Sequence, residues 1–315
     1  MPIVISQKLR PYSKLSSVTA ALPLTGARAT VHPARLLLQN GAKMLLFDWD
    51  LAAPLSDFTV FLHLDRAEIF VFSRELRYRI TAKEGILFEK TPKNFKYAKN
   101  EIIPVPFTSI ERPATMERLF LGVDKAQDVD MMRRRMDLKE ILPFWFALGQ
   151  LLPCPAPCIA GAAGLVQSGQ LEEGYKTGFS SLFAPRLNDE DFQGILPPER
   201  VAGDASSLAV IGYQKIRELF FSESGGRFSI LKNLPAAFTA GRLINLNCAP
   251  YGVWHLEWTK KMIRRAIFKS HRQGELSVIW PSKIRSFRLN GKNVSVKEAI
   301  LVQKDSSYYF DCFQK

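Results

Sequence analysis

Histidine and cysteine are scarce in this chain, four of each among 315 residues. His32, His63, His255 and His271 are scattered, without the close spacing that metal ligation needs, so no metal centre is expected. Four cysteines are too few for a disulfide scaffold at this length. Cys154 and Cys158 stand as C-x3-C in PCPAPC, but no histidine follows before His255 to complete a zinc set. Long apolar runs are missing too. No stretch reaches the roughly 18 residues of a membrane-crossing helix, and the opening MPIVISQKLRPYSKL has no secretory core, so a cytoplasmic chain is expected. The glycines after Pro153 come without the GK[ST] of a phosphate loop or a Gly-x-Gly-x-x-Gly, which leaves a flexible loop or a small-residue helix contact. No Gly-x-Ser-x-Gly elbow occurs. No cofactor and no catalytic residue is therefore expected.

What is abundant is apolar surface for a core: 47% of residues are hydrophobic and 22 are phenylalanine. At this length two domains are expected. Residues 119–153 organise the chain. Asp128 suits the N-cap of a first helix running to Met136, with Val129, Met132 and Met136 inward. Asp137 and Glu140 have the spacing of a capping box for a second helix, whose apolar face is Leu138, Ile141, Leu142, Trp145 and Phe146. Pro143 predicts a kink or break near Leu142, and Gly149 a stop.

Upstream, short runs at 35–38, 43–49, 58–64, 69–73, 76–81 and 86–89, divided by turn residues, predict antiparallel strands. Downstream, 179–187 predicts a helical turn and 208–221 a helix ended by Gly225-Gly226. Alternation at Trp254, Leu256 and Trp258, then at 262–269 and 276–280, predicts half-buried strands, and Asn290-Gly291 predicts a tight hairpin between 284–289 and 292–296. Tyr308-Tyr309-Phe310 closes the set. The fold class is α+β, mostly β: two β-sandwich-like modules joined by a short helical segment. The predicted divisions are an arm (1–30), an antiparallel β-domain (31–112), a helical and loop-rich bridge (113–222) and a small β-sandwich (223–315).

The net charge of +13 is uneven. Between His255 and Lys297 eleven Lys or Arg face two Glu, a balance of +9, which points to an anionic partner. Lys260, Lys261, Arg264, Arg265 and Arg272, with Trp254 as a sugar platform, are the candidate binding residues; the alternation that carries Trp254 also suits a core position. Other charged features have solvated-face readings beside their functional ones. Arg133-Arg134-Arg135 suits a phosphate or a helix face. Asp48 and Asp50, two apart on a strand, suit acid–base work or an exposed face. The loop 93–99, KNFKYAK, suits base stacking or plain surface, and the acidic loop 188–191 a hard cation or solvent.

The pieces KIRELFF, GRFSILKNLPAAFTAGRL, WHLEWTKKMIRRAIF and GELSVIWP, within 214–288, resemble the C-terminal segment of helical-toroid glycoside hydrolases of the α-fucosidase type. Those enzymes carry their catalytic carboxylates on a helical barrel of several hundred residues between two β-domains. About a hundred residues stand in that place here, and no acid pair transfers by position. Residues 119–153 also resemble uncharacterised proteins of chlamydia-like intracellular bacteria. The resemblance implies a non-catalytic binding or assembly protein of truncated glycoside-hydrolase-like plan, with a glycan or anionic macromolecule as partner. The alternatives are a basic module for nucleic acid or anionic lipid, and a small glycan-active hydrolase using Asp48 and Asp50 or the loop Asp189–Asp191.

Overall fold

The structure, a computed structural model, describes residues 2–51, 55–154, 161–186, 206–232 and 234–315. The acidic loop 188–191 and Cys158 lie outside the described residues. Strand outweighs helix, and the class is α+β, mostly β, with sandwich-like sheets. No helix among the described residues is long and apolar enough to cross a membrane. The chain divides into two compact units of interleaved segments. The larger takes Lys8–Pro113 and Lys125–Tyr213, the smaller Met1–Gln7, Ala114–Asp124 and Gln214–Lys315.

The larger unit opens with β1 (Tyr12–Ser13), β2 (Val18–Ala21), β3 (Arg28–His32), β4 (Arg35–Asn40) and β5 (Lys43–Asp48). Then come β6 (Thr59–His63), β7 (Glu68–Phe72), β8 (Arg77–Thr81), β9 (Gly85–Lys90) and β10 (Ile102–Ile103). They form two antiparallel sheets, ordered β1-β6-β7-β8-β9-β10 and β2-β3-β4-β5. Each buries one face by simple alternation: Val60, Leu62, Ile69, Val71, Tyr78, Ile80 and Phe88 in the first, Val18, Ala20, Ala29, Val31, Leu36 and Leu38 in the second. Residues 1–30 are therefore not an arm. Val18, Ala20 and Ala29 are fully buried and β2 pairs with β3; small residues hid an alternation that larger ones would have made plain.

The unit's helices are α1 (Val129–Arg135), α2 (Leu138–Gly149), α3 (Gly161–Gln167), α4 (Leu171–Gly178) and α5 (Ser206–Phe220), and the unit boundary falls inside α5. Asp128 caps α1 by accepting from the Met131 N–H, and Asp137 caps α2 by accepting from the Lys139 N–H. Glu140 does not close the expected box. It is buried, and its carboxylate goes to Lys125 Nζ at 2.8 Å and to Arg135. Nor does Pro143 break α2, which continues unbroken to Gly149 with 141–149 wholly buried. Burial of an apolar side chain contributes about 1.5–3 kcal/mol, so several together outweigh the single hydrogen bond that the proline removes. The glycine-rich stretch after Pro153 supplies α3, whose Ala162 and Val166 pack on Gly178 and Gly174 of α4. The expected helical turn at 179–187 is a short 3-10 turn over Ser181–Phe183.

The smaller unit has β11 (Arg118–Phe120), β12 (Phe221–Ser224), β13 (Arg227–Ile230), β14 (Gly241–Cys248), β15 (Gly252–Thr259) and β16 (Met262–Ser270). It continues with β17 (Gly274–Ile279), β18 (Ser286–Leu289), β19 (Lys292–Ser295), β20 (Ile300–Val302) and β21 (Ser307–Gln314). A seven-stranded sheet, β11-β14-β15-β16-β21-β18-β19, is antiparallel throughout; the second, β12-β13-β17-β20, contains one parallel pair, β13 with β17. The unit is thus not the contiguous 223–315: β11 comes from the predicted bridge, and α5 passes directly into β12, leaving Gly225-Gly226 to turn β12 into β13. Its core is aromatic. Trp254 packs on Phe268 at 4.7 Å, Phe310 at 5.6 Å and Phe228 at 5.7 Å between ring centres.

Candidate functional site

The hairpin β15–β16 carries the site. Trp254, Leu256 and Trp258 point into the core, pinning the register, and Thr259 pairs with Met262 across a two-residue turn. The turn residues are Lys260 and Lys261, both at positive φ, 50° and 60°. Such turns ordinarily take Asn-Gly, because side chains with a Cβ clash in that region. The Lys261 N–H donates to the Thr239 carbonyl at 2.8 Å and holds the turn in place.

Beside this turn lies a pocket of about 340 Å³. Five lysines line it: Lys232, Lys260, Lys261, Lys283 and Lys315. All five are exposed, whereas Leu231, Ile263 and Ile284 beneath them are buried. Leu234, Met262, Pro281 and Ser282 also line it, and no acid is among the described lining residues. Ammonium groups are donors only and act as point charges, so the arrangement suits a ligand with several anionic oxygens. A shallower depression of about 440 Å³ adjoins it, sharing Met262 and Ile263; there Arg264 and Arg265 face Asp311.

Of the six residues named from sequence, only Lys260 and Lys261 line the lysine pocket, with Arg264 and Arg265 in the adjoining depression. Trp254 is fully buried and is not a sugar platform, because alternation on β15 assigns it to the core. Arg265 is committed to a ladder of opposite charges across five strands. Arg242, Glu257, Arg265, Asp311 and Arg288 stand at successive register positions. Glu257 accepts from Arg242 Nε at 3.0 Å and from Arg265 Nε at 2.6 Å, and Asp311 accepts from Arg288 Nε at 2.7 Å. Arg272 follows the far end of β16, with its guanidinium 3.9 Å from the centre of the Tyr251 ring. At about 3.3 Å per residue, that is roughly 25–30 Å from the turn.

Lys232, Lys283 and Lys315 went unrecognised. They come from three separate segments, and only the fold converges them; the one signal in the sequence was Lys260-Lys261 in a position where a hairpin demands positive φ.

The other charged motifs are absorbed by structure. Arg133 donates to the Phe179 carbonyl and Arg135 to Glu140, both from the last turn of α1, where cations complement the helix dipole. Asp48 pairs with Arg35 at 2.6 Å in the open, and Asp50 is exposed. Phe95 and Tyr97 of the KNFKYAK loop pack on Trp49 and Phe88. All four buried acids among the described residues, Glu68, Glu117, Glu140 and Glu257, have Arg or Lys partners. Burial pushes the carboxyls of Glu140 and Glu257 upward, but hydrogen bonds from Arg135 and Lys125, and from Arg265 and Arg242, outweigh it and hold both below the usual range. Neither suits the general acid of glycoside hydrolysis, which needs a raised value. Burial, with Arg66 and Arg10 nearby, lowers His63 to about 4. No group of three or more His, Cys, Asp or Glu among the described residues is placed to hold a metal ion. No protein-family model matches the chain, and no curated protein matches it.

Proposed function

We propose that this protein is a non-catalytic binding module, the plan of a helical-toroid glycoside hydrolase reduced to its β-parts, and that its smaller unit holds a phosphate-bearing partner in the lysine pocket. The observation that carries the reading is the set of five lysines with no acid among the described lining residues. Elsewhere in the basic tail Arg265 and Arg288 are matched by Glu257 and Asp311, whereas the described lining of the pocket brings no acid to its lysines. The last and longest segment of the smaller unit begins at Gln214, where the resemblance to the hydrolases begins, which supports treating that stretch as one module. Lysine rather than arginine in the lining favours recognition of charge over recognition of a planar geometry. No aromatic side chain is among the described lining residues, which gives a nucleobase nothing there to stack on.

The test is titration of the full chain with inorganic tripolyphosphate and with a neutral oligosaccharide of similar size. Tripolyphosphate should bind, and the affinity should fall steeply between about 50 and 200 mM salt, as phosphate contacts require. The combined substitution Lys260→Ala, Lys261→Ala and Lys283→Ala should abolish it. Binding of the neutral sugar alone, or phosphate binding untouched by the triple substitution, overturns the reading.

A further inference from the structure

Among the described residues four sheets have eight edge strands, and seven of them are protected by simple means. β1 and β10 have two residues each, β11 and β20 three, and β12, β19 and β2 four. β2 is also capped: Ser181 Oγ accepts from the Thr19 N–H at 2.7 Å and donates to the Thr19 carbonyl at 2.9 Å. The eighth, β5, differs. It is six residues long, contains no proline, and keeps unbroken register with β4, its sole partner strand among the described residues. Proteins ordinarily shield such an edge with a bulge, a proline or a lysine. The single lysine of β5 is turned to its own chain, Lys43 Nζ donating to the Pro106 carbonyl at 3.1 Å. Met44 and Leu46, on the outer face, are 62% and 52% exposed.

We infer that β5 pairs antiparallel with β5 of a second copy of this chain. The strand reads Lys-Met-Leu-Leu-Phe-Asp and is self-complementary about Leu45. With Leu45 opposite Leu45 of the second copy, Met44 stands opposite the second copy's Leu46, and the outer face gains a row of four apolar side chains. The faces match, because the spacing keeps even residues opposite even residues. The antiparallel sense makes the contact isologous, so it closes on two copies, while Asp48 keeps Arg35 and Lys43 keeps the Pro106 carbonyl. The two four-stranded sheets then run on as one of eight strands, and the assembly presents two lysine pockets.

The experiment is sedimentation velocity on the full chain from about 1 to about 200 µM, a range that brackets weak self-association. The mass should rise toward twice that of the chain. Leu46→Lys should hold it monomeric across the range, with Leu46→Thr as a milder second variant and circular dichroism to show that both are folded. Leu301→Lys, at the most exposed large apolar residue and on a different edge strand, should change nothing. Under oxidation, Leu45→Cys should give a covalent dimer, since directly opposed strand residues lie within disulfide reach. A monomer throughout, a dimer that survives Leu46→Lys, or growth beyond a dimer into open chains would each overturn the inference.

Discussion

Gly212 of α5 lies against the indole of Trp145 on α2: a Cβ at 212 would come within 2.2 Å of the ring's Cε2 and Nε1. Glycine inside a helix ordinarily costs about 1 kcal/mol relative to alanine, so the position is held by packing. Trp145 is fully buried, with Phe179 4.7 Å away and Tyr175 6.0 Å away between ring centres, and it has no room to swing. Gly149 of α2 makes the reciprocal approach, its missing Cβ falling 2.3 Å from the Ala209 carbonyl oxygen.

Gly212→Ala should therefore destabilise the protein despite its helix preference, by about 1–3 kcal/mol, the usual cost of overpacking. Urea unfolding measures it. Combining Gly212→Ala with Trp145→Phe should cost less than the sum of the two single changes, because the smaller ring makes the room that the methyl group needs. Full additivity would show that the contact is not the cause.

How far the sequence could be read follows from how local each determinant is. The caps Asp128 and Asp137 and the Asn290-Gly291 hairpin were legible because each acts within four residues. The alternation of Trp254, Leu256 and Trp258 was legible for the same reason. Pro143 does not break α2, because its penalty is local while the burial that overrides it comes from distant segments. β2 escaped because Val18, Ala20 and Ala21 are too small to stand out against Ser and Thr neighbours. The units are not contiguous, so no linear division of the chain could find them. The candidate site was half legible: Lys260 and Lys261 sit at its centre, but the charge-dense stretch also drew in Arg265 and Arg272, which the fold sends to Glu257 and to Tyr251.

Glu257 offers a pH test with a defined sign. Its burial opposes ionisation, but Arg265 and Arg242 hold its carboxyl below the usual range, and Glu140 behaves alike between Arg135 and Lys125. A carboxyl depressed in the folded state stabilises fully above its unfolded value, about 4.3. It loses that contribution as pH falls through the lower folded value. Glu257→Gln should cost about 1–3 kcal/mol at neutral pH, at the modest end because both arginines remain partly in solvent. The cost should shrink below about pH 4, where the wild-type carboxyl also takes up its proton. Urea midpoints of wild type and variant measured from pH 7 down to about 3 check this. Parallel curves would show that the ladder contributes nothing that titrates.

The turn at Lys260 and Lys261 sets stability against binding. Both residues occupy positive φ, as Asn290 and Gly291 do at 48° and 87° in the hairpin between β18 and β19. Left-handed backbone costs an ordinary side chain about 1–2 kcal/mol per residue, and asparagine and glycine bear it best. The double substitution Lys260→Asn with Lys261→Gly should therefore stabilise the smaller unit by about 1–2 kcal/mol. It should weaken tripolyphosphate binding roughly tenfold or more, since two of the five ammonium groups are gone. Lys260→Ala with Lys261→Ala separates the two effects: the same loss of binding, without the gain in stability, because alanine keeps the Cβ that strains the turn. Urea unfolding and titration calorimetry on the same three proteins read both quantities. If Asn-Gly brings no stability, the turn is unstrained. If it gains stability and keeps full affinity, the two lysines do not hold the anion.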